Sequence, residues 1–138
     1  MTVYDLTAKI RSYLKADATL VALLSSANDV RVTELPKDGV DKQITIRKSW
    51  GKSDSILPAA FSTIHVFVWV RQKKVSEPYK TCVSIVNRVV ELLNRKGTTL
   101  NQSTLEVHQM VKTSAEISFD EEQQYHVGTI IFEVITNE

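Results

Sequence analysis

Apolar residues recur at the three- and four-residue spacing of an amphipathic helix along the first part of the chain. The charged residues fall on the remaining positions, so one face suits a protein core and the other suits water. Asp17 then occupies a position at which an aspartate caps the start of a second, shorter helix. The pattern therefore predicts a helix that breaks near Ala16 and resumes through Leu24. The apolar positions of the first helix are Val3, Leu6, Ile10, Tyr13 and Leu14.

A second long helix is predicted after residue 76, where the helical spacing continues without a break. Ser76 is placed to act as its N-cap, and Pro78 lies in the first turn, where a missing N–H does no harm. Glu91 and Arg95 are spaced as a favourable ion pair, and Gly97 suits the position that follows a helix. The predicted core face consists of Tyr79, Cys82, Val83, Val86, Val89, Val90 and Leu93.

The remaining apolar segments alternate with a period of two, which is typical of β-strands. The strongest of these is 61–71, because large apolar side chains occupy both of its faces. Two polar segments, 50–58 and the acidic 114–124, are predicted to be exposed loops. The predicted strands cover residues 30–32, 43–48, 61–71, 105–111 and 125–136.

The order helix, strand, strand, helix, strand, strand favours an α+β fold. We expect a mostly antiparallel sheet with two main helices packed on one face. A length of 138 residues predicts one domain, 1–138, which needs no disulfide or metal to support its core. The 4 Gly and 3 Pro leave little room for a long flexible linker, and the chain contains no internal repeat.

The net charge of +1 hides an asymmetry along the chain. Residues 1–105 hold 16 Lys and Arg against 9 Asp and Glu, whereas residues 106–138 hold 1 Lys against 7 acids. The two parts therefore carry +7 and −6. Such a chain can pair its two parts internally, or pair one part of a copy with the other part of the next copy. Composition leaves both possibilities open.

The sequence contains no pattern typical of catalysis or of a metal site. His65, His108 and His126 have no short ligand spacing, and Cys82 belongs to the core face of a helix. Neither a glycine-rich phosphate loop nor paired carboxylates at the end of a core strand are present. We therefore expect a protein that is not an enzyme and that binds no cofactor and no metal.

The cellular compartment is indicated by what the chain lacks. A single cysteine excludes an internal disulfide and suits a reducing environment. No apolar run approaches the roughly 18 residues of a membrane span, and the first residues do not resemble a signal peptide. The sequence predicts a protein that has no membrane partner and is cytosolic where it is made.

Six basic residues lie near the ends of two predicted strands that are candidates for neighbours in the sheet. If the strands are neighbours, these residues form a positive patch suited to a phosphate backbone. The alternative, a solvated end of the sheet, is favoured slightly by the residues alone. No recognition helix or aromatic nucleic-acid motif supports base-specific binding. The six are Arg47, Lys48, Lys52, Arg71, Lys73 and Lys74.

One face of the predicted sheet is more apolar than a solvated face should be. The helices cover one side only, yet Phe61, Phe67 and Trp69 fall on the other side. Two explanations are open: the segment that begins at Trp50 folds back over these residues, or the face is a subunit interface. We favour the interface, because aromatic side chains are enriched in interfaces. Val127, Ile131 and Ile135 also remain to be covered.

The layout of the chain is itself informative. Residues 14–24 join an amphipathic helix to a second helical turn through a small-residue break with Asp17. A Val-rich segment at 30–32 and a strand at 44–48 follow. A strand at 65–69, a helix and a closing strand at 125–134 complete the order. Over nearly the whole chain, this layout resembles that of the tail-terminator (tail-completion) proteins of long-tailed bacteriophages.

The resemblance implies a non-enzymatic structural protein of a phage tail. Such a protein forms a hexameric ring that caps the tail tube, ends tail elongation and joins the tail to the head connector. Its partners would be further copies of itself, the tail tube protein and the head–tail connector protein, with DNA passing non-specifically through the channel. Its place would be the head-proximal end of the tail in the virion, after assembly in the host cytoplasm.

Two groups of site residues follow from this interpretation. The six basic residues are candidates for the channel or for a surface that faces phosphate. The candidates for the subunit interface are Phe61, Phe67, Trp69, Asp120, Glu121 and Glu122.

Two alternative functions remain. One is that of another neck or head-completion protein of the virion, and the other is that of an unrelated small ligand-binding domain.

Overall fold

The structure is a computed structural model of the chain that describes residues 3–33, 35–49, 53–54, 59–96, 100 and 107–137. Helices and strands occupy most of these residues. A short 3-10 helix, Ala27–Asp29, precedes the first strand. The helices are α1 (Val3–Lys15), α2 (Ala18–Leu23) and α3 (Pro78–Leu93), and the strands are β1 (Val30–Val32), β2 (Lys42–Ser49), β3 (Ser53–Asp54), β4 (Ala59–Arg71), β5 (Val107–Asp120) and β6 (Tyr125–Asn137).

The strands form a mixed sheet that is mostly antiparallel. Its order is β1-β2-β4-β6-β5, and the short β3 pairs with the start of β4. β1 runs parallel to β2, and the pairs β2–β4, β4–β6 and β5–β6 are antiparallel. β4 and β6 pair along their whole lengths, from Ala59 opposite Asn137 to Arg71 opposite Tyr125, and form the centre of the sheet. The predicted α+β class is confirmed.

Alternation along β4 separates the two faces of the sheet. Ile64, Val66, Val68 and Val70 are fully buried, and they belong to one core cluster with side chains of all three helices. The side chains between them in the sequence are half-buried and point to the opposite side. The helices therefore pack on one face, as expected. The helical members of the core cluster are Leu6, Ile10, Leu14, Leu20, Cys82, Ile85, Val86, Val89, Leu92 and Leu93.

The start of α3 differs from the prediction. The N-cap is Glu77, not Ser76, and its backbone lies in the left-handed region with φ of 50°. Its side chain makes no capping hydrogen bond, and Pro78 begins the helix directly. Pro78 lacks one of the four N–H groups that a helix start leaves unpaired, and its fixed φ suits the first helical turn.

The end of α3 also comes earlier than predicted. The helix stops at Leu93, and Arg95 adopts the left-handed conformation, with φ of 60°, that was assigned to Gly97. Gly97 lies outside the described residues. Because Arg95 is beyond the helix, Glu91 pairs instead with Arg88, one turn earlier, at 3.0 Å.

The core face of α3 is rotated slightly from the predicted one. Ile85 and Leu92 are buried in the core cluster, although neither was assigned to it. Tyr79 was assigned to the core face, but 58% of its surface is exposed. Tyr79 lies in the first turn of the helix, where its ring packs edge-on against the ring of His126 at 6.0 Å between centroids.

The predicted acidic loop is mostly strand. β5 continues to Asp120, so only residues 121–124 form the turn to β6. Oδ1 of Asp120 accepts hydrogen bonds from the backbone N–H groups of Glu122 and Gln123, at 3.0 and 3.2 Å. Part of the other predicted loop is strand as well: β3, at Ser53–Asp54, lies within 50–58. The rest of that loop, residues 50–52 and 55–58, lies outside the described residues.

Asp17 connects α2 to α3. Its carboxylate accepts the backbone N–H of Leu20 at 2.8 Å, which confirms the predicted cap. It also accepts two hydrogen bonds from the guanidinium of Arg88, at 2.9 and 2.8 Å. Hydrogen bonding from Arg88 holds the pKa of Asp17 below its ordinary value of 3.8, although burial acts in the other direction.

This contact predicts a dependence of stability on pH. A carboxyl with a lowered pKa stabilises the folded state above its unfolded pKa, and the contribution is lost as the pH falls through the folded pKa. We therefore expect Asp17→Asn to be less stable than the wild type in urea at pH 6, with the difference shrinking below the ordinary pKa of 3.8. Glu116→Gln, at an exposed position, is the control. A difference that stays constant down to pH 2 contradicts this interpretation.

Gly128 lets α3 approach β6 closely. A Cβ at this position would overlap Cγ2 of Val86 and would lie 3.5 Å from Sγ of Cys82. The Val86 side chain is β-branched and has little freedom to turn away in a helix. We expect Gly128→Ala to lower the free energy of unfolding by about 1–3 kcal/mol, as overpacking does. In urea titrations, Val86→Ala should cost less in the Gly128→Ala background than in the wild type, and equal costs would contradict a clash.

Candidate subunit interface on the open sheet face

The face of the sheet opposite the helices, called here the open face, carries a row of aromatic rings. His65, Phe67 and Trp69 follow one another on β4, with 6.0 Å between each pair of neighbouring centroids. The ring of Tyr125, on β6, meets Trp69 edge-on at 5.6 Å. These four residues form an aromatic ladder. Tyr125 is buried, and the other three are half-buried, because each ring covers part of its neighbour.

Polar side chains support the ladder from β2. Thr45 and Gln43 are fully buried on the open face. The indole N–H of Trp69 donates to Oγ1 of Thr45 at 2.9 Å. Nε2 of Gln43 donates to the Lys37 carbonyl, and its Oε1 accepts from the Lys37 N–H and from Arg31. These satisfied contacts hold Trp69 in a fixed position.

The ladder ends at a cation. The guanidinium carbon of Arg47 lies 5.7 Å from the centroid of Phe67, within the range of a cation–π contact. Its Nε is buried and has no acceptor among the described residues. Burial, with the charge of Arg47, lowers the pKa of neighbouring His65, and burial lowers that of Lys48. Arg47 and Lys48 are called here the β2 basic end, and as consecutive residues of a strand they point to opposite faces, Arg47 to the open face and Lys48 to the helix-covered side.

The predicted apolar interface residues lie together on the open face. Phe67 and Trp69 belong to the ladder, and Phe61 follows the same alternation on β4, although its side chain is not described. Both rings are half-buried, so they are less exposed than aromatic side chains on a sheet face fully open to water would be. The buried support from Thr45 and Tyr125 was not predicted, because neither residue is apolar enough to mark a core position. The half-buried aliphatic members of the face are Val127, Ile131 and Ile135.

The predicted acidic residues lie at the β5–β6 turn, next to the Tyr125 end of the ladder. Asp120 closes β5, Glu121 and Glu122 are exposed in the turn, and Glu116 is exposed on β5. These four residues are called here the acidic hairpin. None of them pairs with a cation among the described residues, whose ion pairs involve other acids. Phe119 is 40% exposed beside them.

The six predicted basic residues do not form one patch. β2 and β4 are neighbours, as expected, but they are antiparallel, so their C-terminal ends point in opposite directions. Arg47 pairs with His65, six residues before Arg71. At about 3.4 Å per residue, this places Arg47 roughly 20 Å from Arg71 along the sheet.

The second basic group is partly neutralised. Arg71 forms an ion pair with Asp41 at 3.2 Å. Lys73 and Lys74 are exposed in the segment after β4, and Lys52 lies outside the described residues. The backbone N–H of Gln72 donates to the Gln124 carbonyl at 2.8 Å, so the two lysines sit beside the turn of the acidic hairpin.

The other candidates for reactive chemistry are the Cys82 thiol and a cavity near the end of β4. Burial raises the pKa of the Cys82 thiol to about 11, so the thiol is protonated at neutral pH. Within the described parts of the chain, no three His, Cys, Asp or Glu side chains are grouped to hold a metal ion. A cavity of about 500 Å³ lies between residues 35–39 and the end of β4, where Arg71 is already paired with Asp41.

No helix of the described chain has the length and apolar character needed to cross a membrane.

The fold has a counterpart among solved structures. The chain is similar to a chain in the structure of the virion of a native gene transfer agent (GTA) particle, with a TM-score of 0.78 and 17% sequence identity. The similarity covers 96% of this chain and 95% of that chain. No family model matches the sequence, and no curated protein matches it. The two chains therefore share a fold over nearly their whole lengths.

Proposed function

We propose that this protein is a structural component of a phage-like virion and acts as a tail terminator. In this proposal, copies of the chain form a hexameric ring that caps the tail tube, ends tail elongation and joins the tail to the head connector. The observation that carries the proposal is the full-length similarity of fold to a component of the gene transfer agent virion. The layout of the sequence supports the more specific role at the tail end.

The open face supports assembly. Aromatic and aliphatic side chains run across two neighbouring strands, β4 and β6, without a helix of the described chain packed over them. The rings are held in fixed positions by Thr45 and by one another, so a partner can bind without a large cost in side-chain entropy. A contact between this face and a different surface of the next copy is heterologous, and heterologous contacts with suitable rotation close into rings.

The channel of such a ring has to admit DNA without holding it tightly. Lys73 and Lys74 are exposed, and the described residues form no ion pair with either of them. They are therefore better candidates for contact with passing phosphates than Arg71, which is neutralised by Asp41. Contacts of this type are independent of base sequence and weaken as salt rises.

Growth of tail tubes tests the proposed role. Phage tube protein from the same source as the chain is polymerised with increasing amounts of the purified protein, and tube lengths are measured by electron microscopy. We expect tubes to become shorter as more protein is added, because capped ends cannot add further tube rings. With Trp69→Glu, which disrupts the open face, the tubes should be as long as those grown without added protein. Equal length distributions with and without the wild-type protein would overturn the proposal.

A neck or head-completion protein is the second candidate. The similar structure is that of a whole virion particle, and the likeness assigns no position within the particle. A neck protein would bind the head connector without affecting the growth of tubes. Binding to isolated connector, combined with no effect on tube length, would therefore favour this second role over the first.

A further inference from the structure

Two sets of charged side chains form no ion pair within the part of the chain that the structure describes. The acidic hairpin presents Glu116, Asp120, Glu121 and Glu122, and no cation among the described residues pairs with them. The β2 basic end presents Arg47, whose buried Nε has no acceptor among the described residues, and the half-buried Lys48. A buried donor without an acceptor is costly, and the hairpin carboxylates offer acceptors, so the two sets are suited to a contact that is absent from the isolated chain.

The acidic hairpin cannot reach the β2 basic end of its own chain. Asp120 pairs with Tyr125, which pairs with Arg71, so the hairpin turn lies at the Arg71 end of the sheet. Arg47 is opposite His65, six residues away along β4 and on the far side of it. The separation from Arg47 is roughly 20 Å along the strands for Asp120 and the turn, and for Glu116, opposite Thr129, it is three strand spacings, roughly 14 Å. A contact between the two sets therefore requires two copies of the chain.

We propose that the acidic hairpin of one copy docks against the β2 basic end of the next copy. This inference rests on the proposed ring and names its contact. Opposite charges supply the electrostatic complementarity. The hairpin and the basic end are different surfaces at opposite ends of the sheet, which is the arrangement that a heterologous ring needs.

The nearest alternative partner for the hairpin gives a different assembly. Lys73 and Lys74 lie beside the hairpin turn of their own chain. If the hairpin of one copy contacted these lysines in another, the same edge would be used by both copies. Such an isologous contact closes as a dimer and leaves no surface for further growth. Pairing with Arg47 and Lys48 therefore fits a ring, and pairing with Lys73 and Lys74 does not.

Charge reversal at each side tests the contact. One variant carries Arg47→Glu and Lys48→Glu, and the other carries Asp120→Lys, Glu121→Lys and Glu122→Lys. Assembly is followed by sedimentation velocity at about 0.1 M salt, where the Debye length is about 10 Å. We expect each variant alone to need at least a tenfold higher concentration than the wild type to assemble. An equimolar mixture should regain assembly, since every contact in it can again join opposite charges.

Controls keep the outcomes distinct. Circular dichroism shows whether each variant is folded, and the milder Arg47→Gln, expected to weaken assembly less, replaces the reversed variant if that one unfolds. Lys73→Glu with Lys74→Glu is the matched control and should assemble as the wild type does. Normal assembly of either reversed variant, or a mixture that stays monomeric, overturns this contact but leaves the ring intact. A wild type that never assembles, in solution or on tail tubes, overturns the ring itself.

Discussion

Replacing Phe132 with Ala is expected to lower the free energy of unfolding by about 3–5 kcal/mol, the usual cost of removing a buried phenylalanine. Phe132 is fully buried on β6, opposite Ile64 of β4, in the core beneath the helices. Two free-energy costs add up in this loss: the ring no longer leaves water on folding, and its removal leaves a cavity in the core. Urea denaturation followed by circular dichroism measures it.

Phe119→Ala is the matched control for this substitution. Phe119 lies on β5, in the same hairpin, but 40% of its surface is exposed and no cavity would remain in the core. We expect it to cost well under half of what Phe132→Ala costs. Equal losses for the two variants would contradict the assignment of the core to the helix-covered face.

The second large effect is expected on assembly. Trp69→Glu should leave a folded protein that assembles at least roughly 30-fold less readily, which corresponds to the loss of one interface hot spot. Trp69 is half-buried on the open face and contributes one hydrogen bond, to Thr45, so its removal does not empty the helix-covered core. A charge placed in the ladder would remain desolvated in the assembled ring. Sedimentation velocity and circular dichroism measure the two quantities separately.

Tyr79→Glu is the control for a charge introduced at an exposed aromatic residue. Tyr79 is 58% exposed and lies on α3, on the helix-covered side of the sheet, so both fold and assembly should be retained. If Trp69→Glu is unfolded, the indole belongs to the structural core and the interface assignment is wrong. If the variant is folded and assembles normally, the open face is not the contact surface.

The elements with a clear alternation of apolar and polar residues could be predicted from the sequence. β4 was placed correctly because its β-branched residues, such as Val66 and Val68, occupy every second position and are all buried. The cap at Asp17 was also predictable, since an aspartate before a short apolar helix has few other uses. In both cases, local chemistry and tertiary burial favour the same structure.

Other elements depend on contacts that the local sequence does not contain. The second half of β5 was predicted as a loop because its residues are exposed and polar, and pairing with β6 alone makes them a strand. The N-cap of α3 was misplaced because Glu77 adopts a left-handed conformation that has no reliable sequence signal. Backbone pairing and strained turns of this type are decided by the whole fold.

The site was predictable only in part. The alternation placed Phe67 and Trp69 on one face, as the structure has them, and their role in an interface remains a prediction. The prediction of one basic patch was wrong because it put the C-terminal ends of two neighbouring strands together, whereas the antiparallel pairing that the sequence itself favours puts Arg47 and Arg71 at opposite ends. The orphaned Nε of Arg47 has no sequence signal, because it depends on which rings surround the guanidinium.

Electron microscopy tests most directly the central claim, that the protein forms a ring on the end of a tail tube. Purified wild-type protein is added to phage tail tubes from the same source as the chain, and the tube ends are imaged by cryo-electron microscopy with averaging. We expect a six-fold ring of 15.6 kDa subunits at one end of each tube, coaxial with its channel. Tubes whose two ends remain bare at saturating protein, or that bind the protein along their sides, would contradict it.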